Sequence, residues 1–109
     1  MSKLEPEMEV ALRELVNCMM DTHTYREYQK CKQDISQDQR TIELVRRSRQ
    51  ISNELQRIPE GERSGDYVER LEQEYADLSE NTAVHNFNAA EVALCNMYQE
   101  MMKQIISVL

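Results

Sequence analysis

The residues of this chain best suited to metal binding are two histidines and three cysteines, but their spacing does not match a known site. His23 and Glu27 would share one face of a helix, yet two ligands make only half of a usual metal site, and a solvated ion pair is the simpler interpretation. Neither His23 nor His85 has an acidic residue three positions before it, as a carboxylate-bridged metal centre in a helical bundle requires. We therefore expect no metal and no cofactor.

The three cysteines form an odd set with no CxxC pair, so a disulfide framework is not expected. They are Cys18, Cys31 and Cys95. Each lies on or near an apolar helical stripe, where a free cysteine usually packs as a small apolar side chain. Packing is the favoured interpretation for all three.

Residues for catalysis are equally hard to find. The two glycines, Gly61 and Gly65, lie four residues apart in one polar segment, which rules out a glycine-rich phosphate loop and a nucleophile elbow. No Ser-His-Asp order is present either. We expect no catalytic residues, and a protein that is not an enzyme.

A basic cluster is the best candidate for nucleic-acid contact. Arg46, Arg47 and Arg49 could bind phosphates, but the whole chain has a formal net charge of −7, which opposes binding to a polyanion. A solvated or ion-paired helix face is the favoured interpretation. An RNA-binding adaptor that uses these three arginines is the alternative.

The elements that would position these residues are all helical. Only two glycines and two prolines interrupt a chain with 40% hydrophobic and 30% charged residues, so long helices in a small bundle are predicted. A chain of 109 residues forms one domain, residues 1–109, with a modest core. The predicted helices are Pro6 to about Met20, about Tyr25 to Ser36, Gln37 to Ile58, Asp66 to Glu80 with Asp66 as its cap, and Asn81 to Leu109.

The third and fourth helices are predicted to form an antiparallel hairpin around the turn that contains both glycines. Residues 40–57 carry a net charge of +3 and residues 60–80 a net charge of −6, so the two arms attract. Exposed ion pairs contribute at most about 1 kcal/mol each, so this attraction sets register more than stability.

The last helix is long and carries only three charged residues, Glu91, Glu100 and Lys103. Its apolar stripe is wider than a two-stranded coiled coil needs, and a chain of this size cannot easily cover it alone. Glu91 falls within the stripe, so it should pair with an arginine or turn to the edge. We expect the stripe to meet a partner through five residues: Phe87, Leu94, Tyr98, Met101 and Ile105.

The order of the segments along this chain resembles that of a known protein family. Tyr25-Arg26-Glu27-Tyr28-Gln29-Lys30 precedes two polar helices joined by the glycine turn, and Asn81-Thr82-Ala83-Val84 then opens an apolar helix that closes with Ile105-Ile106-Ser107-Val108-Leu109. Over roughly residues 7–109 this resembles the YlbF/YmcA family of small helical bacterial proteins, including its short YheA-like members.

The resemblance implies an all-helical homodimer, or a hetero-oligomer with family paralogues. It also implies a regulatory role, because the better-known members join a complex that modulates RNase Y-dependent mRNA processing and, through it, competence, biofilm formation and sporulation. A family homodimer of undefined function is the other interpretation.

A cytoplasmic location is expected. The start of the chain carries Glu5, Glu7 and Glu9, where a signal peptide would need basic residues followed by an apolar run. No segment is apolar enough to span a membrane, so no membrane partner is expected.

Overall fold

The computed structural model describes residues 3–109, and over that range the chain forms five α-helices and no strand. The helices are α1 (Pro6–Met20), α2 (His23–Ser36), α3 (Gln39–Arg57), α4 (Asp66–Ser79) and α5 (Thr82–Val108), with a short 3-10 turn at Glu60–Glu62. This confirms the predicted all-α class. None of the helices in residues 3–109 is both long and apolar enough to cross a membrane.

Local capping residues explain where most helices begin. Thr22, Asp38 and Asn81 each accept a hydrogen bond from a backbone N–H in the first turn of the helix that follows. The predicted cap at Asp66 is wrong, because Asp66 is the first residue of α4 and Gly65 occupies the cap position. Gly65 has φ of 109°, which an L side chain rarely adopts.

Helices α3 and α4 form the predicted antiparallel hairpin. Arg47 pairs with Glu74 and, further along α3, Glu54 accepts a hydrogen bond from Tyr67 near the start of α4. The two contacts run in opposite order along the two helices, which shows the antiparallel arrangement. Ile51 is fully buried.

The core lies where α2, α3 and α5 meet. Ile35, Val45, Val84 and Phe87 form a buried cluster, and Tyr28 packs against it with its ring centroid 5.8 Å from that of Phe87. This cluster uses only the first two turns of α5, so the rest of that helix reaches beyond the core.

Helix α1 lies outside the core. None of its residues is buried, and among the helices of residues 3–109 it packs only against α2. The radius of gyration is 17.9 Å, whereas a compact domain of this length has one of about 13 Å. The chain is therefore an open structure with two projecting helical segments, α1 and the distal part of α5.

Candidate protein interaction surface

An apolar groove of about 530 Å³ opens between the end of α1 and the middle of α5. We call it the α1–α5 groove, and Gln99 is the one amide among its lining side chains. The others are Val16, Met19, Met20, Tyr25, Leu94, Cys95 and Tyr98. Aliphatic, aromatic and sulfur-containing side chains of this kind favour another apolar surface over water.

The break between α1 and α2 creates one wall of the groove. The Thr22 hydroxyl donates to the Met19 carbonyl oxygen at 2.6 Å and accepts from the Tyr25 N–H at 3.2 Å. This one residue therefore ends α1 and begins α2. The chain changes direction there, and α1 does not pack along α5.

The apolar surface continues outward from the groove along both helices. On α1, Met8 is 57% exposed and Leu12 is 48% exposed. On α5, Met102, Ile105 and Ile106 are all more than one-third exposed. An apolar surface this continuous is typical of a binding site rather than of the scattered apolar residues on every protein.

The residues that the sequence indicated as a contact surface divide into two groups. Phe87 is buried within the chain, with the Arg49 guanidinium 6.0 Å from its ring centroid, so it stabilises the fold and is not accessible to a partner. Tyr98 and Ile105 are exposed, and Leu94 and Met101 are half-buried. These four share one face of α5, because helical residues three, four and seven apart lie above one another.

Sequence reasoning missed the contribution of α1. The three- and four-residue spacing of Met8, Leu12, Leu15 and Met19 predicts an apolar helix face, and all four residues lie on α1. The same spacing appears whether the face is covered by the chain itself or by a partner, so periodicity could not show that α1 is left uncovered.

Two of the three candidate nucleic-acid arginines bind carboxylates of the same chain. Arg47 donates two hydrogen bonds to Glu74, at 2.6 Å and 2.9 Å, and this pairing raises the pKa of Arg47 and lowers the pKa of Glu74. Arg49 donates to Glu91 at 2.5 Å. Arg46 is exposed and has no ion pair within residues 3–109. The three side chains therefore do not form one phosphate-facing cluster.

The cysteines are all free, and only one of them packs as expected. Cys31 is half-buried beside the core, and its burial raises the pKa of its thiol. Cys18 and Cys95 are exposed, so the prediction that they pack is wrong for these two. Both lie on helix faces that the chain itself leaves uncovered.

Within residues 3–109, no three His, Cys, Asp or Glu residues are grouped so that they could hold a metal ion.

The fold and this surface define a class: a small all-helical protein with an apolar surface that extends beyond its own core. The chain belongs to the family described as "Control of competence regulator ComK, YlbF/YmcA", whose model matches residues 9–109. The match covers nearly the whole chain, and the description gives the family a regulatory role. Neither a curated protein nor a solved structure gives a significant match.

Proposed function

We propose that this chain is a non-enzymatic, cytoplasmic regulatory protein that acts by helix-mediated association with other proteins. The association uses the α1–α5 groove and the exposed apolar residues that continue from it. Its partners are a further copy of the chain or a family paralogue, and the assembly contributes to the control of competence. The family resemblance extends this proposal to RNase Y-dependent mRNA processing and to biofilm formation and sporulation.

One observation supports the association above all others. The chain has an accessible surface of 8689 Å², whereas a folded monomer of its 12.9 kDa mass exposes about 6,300 Å². The excess is roughly 2,400 Å² for one chain, and a stable interface of standard size covers about 800 Å² on each partner. The excess therefore leaves ample area for at least one partner.

A pair of α5 variants tests this proposal. Ile105→Lys puts a charge into the apolar surface, where burying an unpaired ammonium group is costly. Val92→Lys adds the same charge on the opposite side of α5, where Val92 is 58% exposed and lies in a shallow groove beside Tyr75 and Ser79 of α4. Both positions hold exposed β-branched aliphatic residues of α5, with Ile105 43% exposed and Val92 58% exposed.

Tagged forms of the wild type and of both variants are recovered from cells of the source bacterium, and the co-purified proteins are identified and quantified. We expect the wild type and Val92→Lys to retain family paralogues or an mRNA-processing nuclease. Ile105→Lys should lose them by roughly tenfold or more, which corresponds to about 1.4 kcal/mol. If Ile105→Lys retains every partner of the wild type, the surface is assigned wrongly.

A further inference from the structure

The methionines of this chain are divided unevenly between its core and its exposed apolar surface. The buried apolar side chains are all isoleucine, valine, leucine or phenylalanine. Six methionines lie within residues 3–109, and none of the six is buried. They belong to only two helices: Met8, Met19 and Met20 to α1, and Met97, Met101 and Met102 to α5.

These thioethers form part of the surface that the proposed function assigns to a partner. Met19 and Met20 line the α1–α5 groove. Met8, which is 57% exposed, and Met102, which is 40% exposed, belong to the apolar surface that continues outward from the groove. An oxidant in solution therefore reaches the sulfur atoms of the unassociated chain without any unfolding.

Oxidation changes the character of such a side chain. A hydroperoxide transfers one oxygen atom to the methionine sulfur: a sulfur lone pair forms the new S–O bond, the O–O bond breaks, and the peroxide is reduced to water or an alcohol. The sulfur loses two electrons and becomes a sulfoxide. A flexible apolar side chain is thereby converted into a polar one, and burying it without a hydrogen-bond partner is costly.

We propose that oxidation of these methionines to sulfoxides switches off the association of this chain while its fold stays intact. The inference rests on the association proposed above and adds its regulation. A partner covers the same sulfur atoms, so oxidation acts on the unassociated chain and keeps it in that state. The switch is reversible, because methionine sulfoxide reductases restore both sulfoxide epimers to methionine.

The core explains why the fold survives. Ile51 and Val84 are fully buried, and Phe87 is 4% exposed, so the central packing offers no thioether to oxidise. The chain thus separates two groups of apolar side chains: those that hold it together resist peroxide, and those that meet a partner include the methionines. The two effects of oxidation, on folding and on association, can therefore be measured apart.

Two purified chains test the switch. Both carry Cys18→Ser, Cys31→Ala and Cys95→Ser, so that thiol oxidation plays no part. The parent chain keeps its methionines, and the matched resistant chain has leucine at all six methionine positions of residues 3–109, a change that nearly conserves side-chain volume. Each is treated with hydrogen peroxide, and mass spectrometry counts the oxygen atoms gained.

Tagged forms of both chains, oxidised or untreated, are immobilised and incubated with a desalted extract of the source bacterium. The retained family paralogues and untagged copies of the chain are quantified, and circular dichroism measures the helical content. We expect oxidation to lower retention by the parent chain at least tenfold with no loss of helical content. The resistant chain should keep its partners, and treatment of the oxidised parent chain with both classes of sulfoxide reductase should restore them.

Three outcomes would overturn the inference: the oxidised parent chain retains its partners, it loses helical content together with them, or the resistant chain loses them equally. Failure of the untreated parent chain to retain any partner would instead remove the association itself, and the proposed function with it. The two failures are therefore distinguishable in one experiment.

Discussion

At the scale of single residues, the pair between Arg47 and Glu74 connects the two arms of the hairpin. Both side chains stay partly exposed, at 43% and 42%, so water screens their charges. The two parallel hydrogen bonds give the pair a defined geometry, because a guanidinium and a carboxylate match each other in shape. The pair therefore fixes the register of α3 against α4 more than it adds stability.

The pH dependence of unfolding tests this pair. Glu74→Gln should lower the free energy of unfolding at pH 7, because an amide replaces the carboxylate that binds Arg47. The folded chain lowers the pKa of Glu74, so as the pH falls the unfolded chain takes up this proton first. The stabilisation is complete above the ordinary glutamate pKa of about 4.3 and is lost as the pH falls through the folded value.

Urea unfolding at pH 7 and at pH 3 measures the effect. The difference between the wild type and Glu74→Gln should be clear at pH 7 and should shrink at pH 3. Glu72→Gln is the matched control, since Glu72 is an exposed acid of α4 with no ion pair within residues 3–109. A difference that stays constant with pH, or that Glu72→Gln reproduces, would contradict the account.

Residue-level contacts could be predicted only in part. The sequence predicts that Glu91 pairs with an arginine or turns to the edge, and the structure shows it paired with Arg49. The choice of Arg49 depends on how α3 is rotated against α5, which is fixed by packing around Phe87. Adjacent helical residues point about 100° apart, so Arg47 faces α4, whereas Arg46 and Arg49, three residues apart, lie on another side of α3.

At the scale of elements, the helices were predictable because their ends are set by local chemistry. Pro6 begins α1, Pro59 follows the end of α3, and Asn81 caps α5 through a hydrogen bond from the Val84 N–H at 3.1 Å. These signals act over three or four residues and are visible in the sequence. The start of α4 was misplaced by one residue, because Gly65 supports a cap conformation without a side-chain bond.

The cap of α5 gives a prediction at this scale. Asn81→Ala removes the side chain that accepts the Val84 N–H, so it should lower the free energy of unfolding by about 1 kcal/mol. Asn81→Gly should lower the free energy of unfolding by only a few tenths of about 1 kcal/mol, because glycine is also tolerated at a helix cap. Thermal or urea unfolding followed by circular dichroism measures both. Equal losses for the two variants would show that the cap is not the cause.

The environment of an element was harder to predict than its presence. The spacing of apolar residues in α1 predicts a face that packs against the core, yet no residue of α1 is buried in the chain. On α5 the stripe is continuous in sequence, but the structure divides it: Phe87 belongs to the core, whereas Tyr98 and Ile105 are exposed. Which part of a stripe the chain covers depends on where the other helices end, and that information is not local.

At the scale of the whole molecule, the shape of the chain and its exposed area both support the proposal that it associates with a partner. The principal extents are 53, 38 and 26 Å, and the long dimension reflects helices that project from a small core. A small domain is only marginally stable, and one that leaves this much apolar surface exposed gains stability when a partner covers it. Folding and assembly of this chain are therefore expected to be coupled.

The mass of the purified chain in solution tests the central claim most directly. Sedimentation equilibrium is measured over a wide concentration range for the wild type, Ile105→Lys and Val92→Lys. If two copies associate through this surface, the wild type and Val92→Lys should have twice the 12.9 kDa chain mass, and Ile105→Lys should shift toward the single-chain mass. A wild type that stays at the single-chain mass up to hundreds of micromolar would contradict self-association through this surface.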